Sequence, residues 1–311
     1  MLWLTLRRLR SRNAWERREA VRGLWGCKNS RAVRALITAF GDPDDEVRDN
    51  AAQAFVFNPV PLATPSLIGL LADVYVRKTA AQALSAIRDR QAVPALITAL
   101  EEIHQDYVLH EGYRATGIMH FGFFARALGE IGEANAVTAL QRALKRARML
   151  RIRLPAWDVH FIEVDIVHAL ERLGDRETAG EYWADCLPSE EAARGLATVG
   201  SAKHLRRLIG ELATVARDSK EHPYEPDFNC GDPRLSLTRS LLLAVEGVLV
   251  RDAAGASVED LRAVTLLPDG FRFLESYNVI LDWDEFREVT VDCRGTKHMA
   301  MKELARRGQI S

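Results

Sequence analysis

Cysteine is scarce in this chain. Four occur in 311 residues, Cys27, Cys186, Cys230 and Cys293, and none stands in a CxxC pair. That spacing gives no support to a zinc clip or a disulfide framework. The expectation is buried thiols in a reducing compartment, and so a cytoplasmic protein. Long apolar runs are missing too: none approaches the roughly 18 residues of a membrane span. Met1 to Asn13 opens with apolar residues and arginines but has no adequate h-region and no small-residue cleavage site, so it is not read as a signal peptide. A glycine-rich phosphate cradle and a GxSxG elbow are both lacking. Aromatics make up 7%. Trp15, Trp25, Trp183 and Trp283 are assigned to the core, and Trp157, two residues after Pro155, is set apart as a candidate surface residue. Disorder is excluded by composition, since 48% of residues are hydrophobic and 27% charged.

Net charge is close to balance, at −1, but it is unevenly placed. Residues 1–34 hold ten Lys or Arg against only Glu16 and Glu19. A basic end on an acidic body is a feature a partner can read.

What the chain has is repetition. Ala32 to Phe40 reads AVRALITAF, and sixty positions later Ala92 to Leu100 reads AVPALITAL, identical at seven of nine positions. Between them lies ATPSLIGLL, Ala63 to Leu71, and beyond them AVTALQRAL, Ala136 to Leu144. A second pattern alternates with the first: VRDNAAQAF from Val47, VRKTAAQAL from Val76, and in part ALGEIG from Ala127. Gly41-Asp42-Pro43 turns the chain, and Asp44, Asp45 and Glu46 put negative charge at the positive end of the next helix. Ser30 is placed as the N-cap of a helix over Arg31 to Phe40. Pro65 and Pro94 fall in first turns, where a missing N–H costs nothing. One such helix pair cannot bury its apolar stripe alone, whereas stacked neighbours make a continuous core.

These alternating helices resemble HEAT-like repeats, in particular the short subclass named after phycobilisome lyases. The resemblance implies an all-α, right-handed α-solenoid of HEAT-like helix pairs. The expected organisation is a basic capping segment over 1–13, a repeat array over 14–218, and over 219–311 a long loop followed by diverged C-terminal helical repeats. Within that last part, Tyr277 to Asp282 and Val289 to Cys293 are strands or irregular segments. The capping segment sets Leu2, Leu6 and Leu9 on one helical face; contact of residues 1–12 with a membrane surface is the minor alternative.

Three long connections interrupt the short period: near 104–117, over 149–158, and over Asp218 to Arg234. Each follows the second helix of a pair, so regular stacking brings them out on one edge. They carry aromatic and charged residues suited to a partner surface: Tyr107, His110 and Tyr113 in the first, Arg151, Arg153 and Trp157 in the second, Tyr224 and Phe228 in the third.

Chemistry is thinner. Deoxyhypusine hydroxylase has similar repeats and holds two irons through several His-Glu pairs. This chain has one such pair, His110-Glu111, and the helix FFARALGEIG, Phe123 to Gly132, does not begin with one. His104, Asp106, His110 and Glu111 are read as exposed polar residues rather than ligands. A bilin-lyase-like activity finds no cysteine in an activating neighbourhood beyond Cys27-Lys28 in a turn. The basic run Lys145, Arg146, Arg148, Arg151 and Arg153 is set against an acidic total, so nucleic acid is disfavoured. The reading is a non-catalytic scaffold or adaptor that binds another protein in assembly or regulation, with no catalytic residue, cofactor or metal assigned. The rival class is an enzyme or maturation factor on the same scaffold.

Overall fold

The computed structural model describes residues 2–109, 114–150, 156–221, 234–268, 270–277 and 285–310, and the side chains of 2–101, 121–149, 160–218, 234–268 and 290–310. The chain forms two compact units, Met1–Asp175 and Arg176–Ser311.

The first unit opens with α1 (Leu2–Arg8), followed by α2 (Ala14–Arg22), α3 (Ser30–Ala39), α4 (Asp45–Phe57), α5 (Thr64–Leu70), α6 (Arg77–Ile87), α7 (Val93–Leu109), α8 (Arg114–Ile131), α9 (Val137–Leu150) and α10 (Ala156–Arg172). Helices α2, α4, α6, α8 and α10 pack side by side in one layer, each against the next, while α3, α5, α7 and α9 form the layer behind them. This is the expected stacking of helix pairs. Small residues make it possible: Ala51, Ala52, Ala80, Ala81 and Ala83 are fully buried or nearly so at the crossings, and Leu67, Leu84, Leu96, Leu100 and Leu128 fill the space between layers.

Helix ends follow local chemistry. The Asp44 carboxylate accepts from the Val47 N–H and so caps α4. Asn29, rather than Ser30, caps α3, its side chain accepting from the Arg31 N–H. Pairs of charges then tie one repeat to the next. Arg17 grips Asp42 with two bonds of 2.8 and 2.7 Å, Arg18 grips Asp44 at 2.8 and 2.6 Å, and Arg48 reaches Asp73 at 2.7 Å. The Arg18 guanidinium holds the Asp44 carboxyl below its ordinary range. Half-buried Asp49 accepts from the Thr79 hydroxyl at 2.5 Å, and partial burial pushes its carboxyl up.

Two of the expected long connections shrink. The helices α7 and α8 run through most of 104–117, leaving only 110–113 outside the described residues. After Pro94 no proline or glycine interrupts α7, so it simply continues past the length of its counterparts. In the same way α9 runs to Leu150 and α10 begins at Ala156. Trp15, expected in the core, is 65% exposed on the first turn of α2.

The second unit contains α11 (Arg176–Asp185), α12 (Glu190–Val199), α13 (Ala202–Glu221), α14 (Arg234–Asp252), α15 (Val258–Thr265) and α16 (Arg294–Arg306). Helices α12 and α14 pack closely, α16 follows α14, and α11, α13 and α15 lie beside them in turn. Between α15 and α16 sits an antiparallel hairpin, β1 (Gly270–Tyr277) with β2 (Glu285–Asp292), in the register Gly270 opposite Asp292 and Tyr277 opposite Glu285. The class remains all-α, with this one hairpin among the described residues. Among those residues no helix is long and apolar enough to cross a membrane.

Candidate functional site

The outer surface of α6, α8 and α10 gathers side chains from three successive repeats. It begins with a close helix crossing. A Cβ on Gly129 of α8 would stand 2.8 Å from the Cα of Ala169 on α10, a distance real atoms do not tolerate. One turn pair earlier, a Cβ on Gly122 would collide with the Asp165 carboxylate. The two glycines are seven apart, so they share a face of α8. They cost helix propensity but let α10 lie directly against α8.

That crossing seats Asp165 beside Arg126, which donates to it at 2.8 Å. Arg126 also stands 5.8 Å from the centre of the Phe123 ring, and Lys78 of α6 stands over the same ring at 4.8 Å. Phe123 is thus flanked by two cations from neighbouring repeats. Further along, Glu130 of α8 receives Arg88, from the end of α6, at 2.5 Å, and also Arg172 of α10. His168 pairs with Glu171 at 2.9 Å on α10. Arg126, Asp165, His168, Ala169, Glu171 and Arg172 line a depression of about 360 Å³.

These pairs are half-exposed, so each contributes little stability. Their effect is positional. Three bridges span adjacent repeats, and they hold opposite charges in a fixed pattern on one face. Such a surface suits a partner with its own mixed charge, where complementarity sets register and orientation. Among the described residues no three His, Cys, Asp or Glu side chains converge as a metal site would require. The cluster His104, Asp106, His110 and Glu111 lies outside the described side chains.

The eight residues assigned from sequence to a partner surface also fall there. Tyr107 is on α7 and Trp157 on α10, their side chains outside the described residues. His110, Tyr113, Arg151, Arg153, Tyr224 and Phe228 lie outside the described residues altogether. The junctions that carry the first six lead directly into α8 and α10, the two helices that line the depression. The third junction, between α13 and α14, belongs to the second unit. The sequence reading missed Phe123, Arg126, Asp165 and Arg172. A signal was available in the glycines seven apart on α8 and the Arg126–Glu130 spacing of four, which sets one cation and one anion on the same helical face.

Residues 3–75 match the family described as HEAT repeats, and residues 76–102 and 123–146 match the PBS lyase HEAT-like repeat. The phycocyanobilin lyase subunit alpha of a Nostoc species is 35% identical over 136 residues, which is 40% of this chain and 48% of that protein. The protein of the same name from a Picosynechococcus species is 31% identical over 160 residues, 49% of this chain and 59% of that one. The chain therefore spans about half the length of the curated relatives it matches. Among solved structures, an engineered protein aligns over 84% of this chain and 70% of its own, at a TM-score of 0.47 and 18% identity.

Proposed function

We propose that this chain, a HEAT-like repeat protein, acts as a non-catalytic scaffold that docks a partner protein on the α6–α8–α10 face. Tyr107, His110, Tyr113, Arg151, Arg153 and Trp157, with Tyr224 and Phe228, are proposed as further partner contacts. One observation carries this reading: the fixed, mixed-charge pattern in which Lys78 and Arg126 flank Phe123, Arg126 holds Asp165, and Glu130 takes Arg172 further along the face. A polyanion needs one sign of charge, and a small-molecule site needs an enclosed apolar cavity; this face has neither. A cytoplasmic site of action accompanies the reading.

The test begins with a photo-crosslinking amino acid at position 123 of the full chain, in the native host. The cross-linked protein, once purified, is titrated against Tyr107→Ala, Trp157→Ala and Tyr224→Ala, each checked for an unchanged melting temperature. Weaker binding by the first two supports the docking edge of the first unit. Full binding by all three places the interface elsewhere.

The similarity to two proteins named as lyase alpha subunits supports a second reading, in which the chain handles a bilin together with another subunit. Under the scaffold reading, mixing with phycocyanobilin leaves the pigment's absorption spectrum unchanged. A coloured complex that survives gel filtration would favour the lyase-like reading.

A further inference from the structure

We propose that the N-terminal end of the first unit is a second docking surface, separate from the α6–α8–α10 face, and that it takes a carboxylate-rich protein segment with apolar side chains interspersed. Trp3 is 68% exposed, Leu4 56% and Trp15 65%, all within the first fifteen residues. Arg7 lies over the Trp3 ring at 5.7 Å. The acids of this region are largely spoken for: Asp42 and Asp44 hold Arg17 and Arg18, and Glu19 holds Arg22. Arg8, Arg10, Arg12, Lys28, Arg31 and Arg34 are exposed, and none has an ion pair among the described residues.

The surface is held in place. Helix α1 packs on α2 and α3 with Leu2, Leu6 and Leu9 half-buried. The Thr5 methyl of α1 comes within 3.4 Å of where a Cβ on Gly23, the residue closing α2, would stand. The connector to α2 is pinned by Arg17, which donates to the Ser11 and Arg12 carbonyls at 3.0 and 3.3 Å while it grips Asp42. The ordering cost left on binding is that of the exposed arginine side chains.

Charge and area select the occupant. Exposed tryptophan beside arginine is the usual anchor of a protein interface, and the unpaired cations on α1, on α3 and in the neighbouring connectors call for carboxylates opposite. A lipid surface fits less well. Helix α1 has seven residues with Leu2 and Leu6 half-buried, which leaves Trp3, Leu4 and Trp15 to insert, too little apolar area for stable anchoring.

The experiment uses the full chain and four probes: a fluorescent synthetic peptide alternating Glu or Asp with Leu and Phe, its twin with Lys for every acid, mixed phosphatidylserine–phosphatidylcholine vesicles, and duplex DNA. The acidic peptide should bind and weaken with salt, and the basic twin should not bind. Trp3→Ala and, separately, the double change Arg8→Glu with Arg12→Glu should each weaken it about tenfold or more, with helix content by circular dichroism unchanged. Arg126→Glu should leave it unaltered, which separates this surface from the other face. The proposal is overturned if the peptide does not bind, or if both N-terminal variants bind it normally. It is also overturned if vesicles or DNA bind more tightly than the peptide, or if the chain proves to be a dimer that Trp3→Ala dissociates.

Discussion

In the first unit arginines reach sideways, from one helix pair to the next. Arg17 meets Asp42 and Arg48 meets Asp73, from equivalent positions 31 residues apart. In the second unit two arginines reach instead for helix ends. Arg251 donates to the carbonyls of Leu196, Ala197 and Gly200 at the close of α12, and Arg307 to those of Ala253, Ala254 and Ala256 after α14. Partial desolvation of the Arg251 guanidinium lowers its proton affinity. The cores differ in the same sense. The first rests on alanine and leucine at repeated positions, whereas the second wedges Trp183 edge-on against Tyr182, ring centres 5.1 Å apart, with both fully buried. A repeated unit can be held by a repeated device. A diverged one needs a separate solution at each crossing.

The largest effect should come from the wedge. Trp183→Ala should cost the second unit about 3–5 kcal/mol, read as a lower denaturant midpoint. An unchanged midpoint would mean the aromatic core carries no more weight there than the alanines do in the first unit. Next comes Arg251→Met, which removes the donor from three helix-end carbonyls and should cost about 1–3 kcal/mol. The first unit's device should cost about as much pair by pair. Arg17→Met and Asp42→Asn, whose side chains are only 12% and 11% exposed, should each cost about 1–3 kcal/mol, and a double-mutant cycle should find them coupled. Additivity would deny that the ladder joins the repeats.

A smaller effect is set by pH. His204, at the start of α13, is 4% exposed; its Nδ1 accepts from the Ser201 N–H at 3.0 Å, and its Nε2 has no partner. Burial lowers its proton affinity, with Glu181 opposing and Lys203 assisting. Its folded value thus lies below the unfolded 6.5. The unfolded chain takes up a proton first, so stability is full above about 6.5 and falls as pH drops toward the folded value. His204→Gln should flatten that slope, seen as a melting temperature that varies less between mildly acidic and neutral pH.

The same contrast explains what could be read from sequence. The pattern from Val47 returns at Val76, so helix pairs, the Asp44 cap and the proline placements were legible through residue 147 or so. Helices α11 and α12 were not, because their apolar residues follow no earlier copy. Of the two segments read as strands or irregular, 289–293 overlaps β2, whereas 277–282 lies outside the described residues apart from Tyr277, the last residue of β1; short apolar runs do not fix their own ends. The connection near 104–117 was read as a loop because it broke the period, yet a break in period says only that residues were added. Here they lengthen two helices. The α6–α8–α10 face was invisible because its charges come from three repeats, and pairings such as Arg126 with Asp165 appear only once the crossing at Gly129 is known.

The most direct measurement is a titration of the partner cross-linked at position 123 against the full chain, Arg126→Glu and Arg251→Met, with folding of each verified by circular dichroism. Arg126→Glu should weaken binding about tenfold or more, while Arg251→Met, which touches only the second unit's helix ends, should bind as the unaltered protein does. Full binding by Arg126→Glu with loss in Arg251→Met would contradict the account and move the docking site to the second unit.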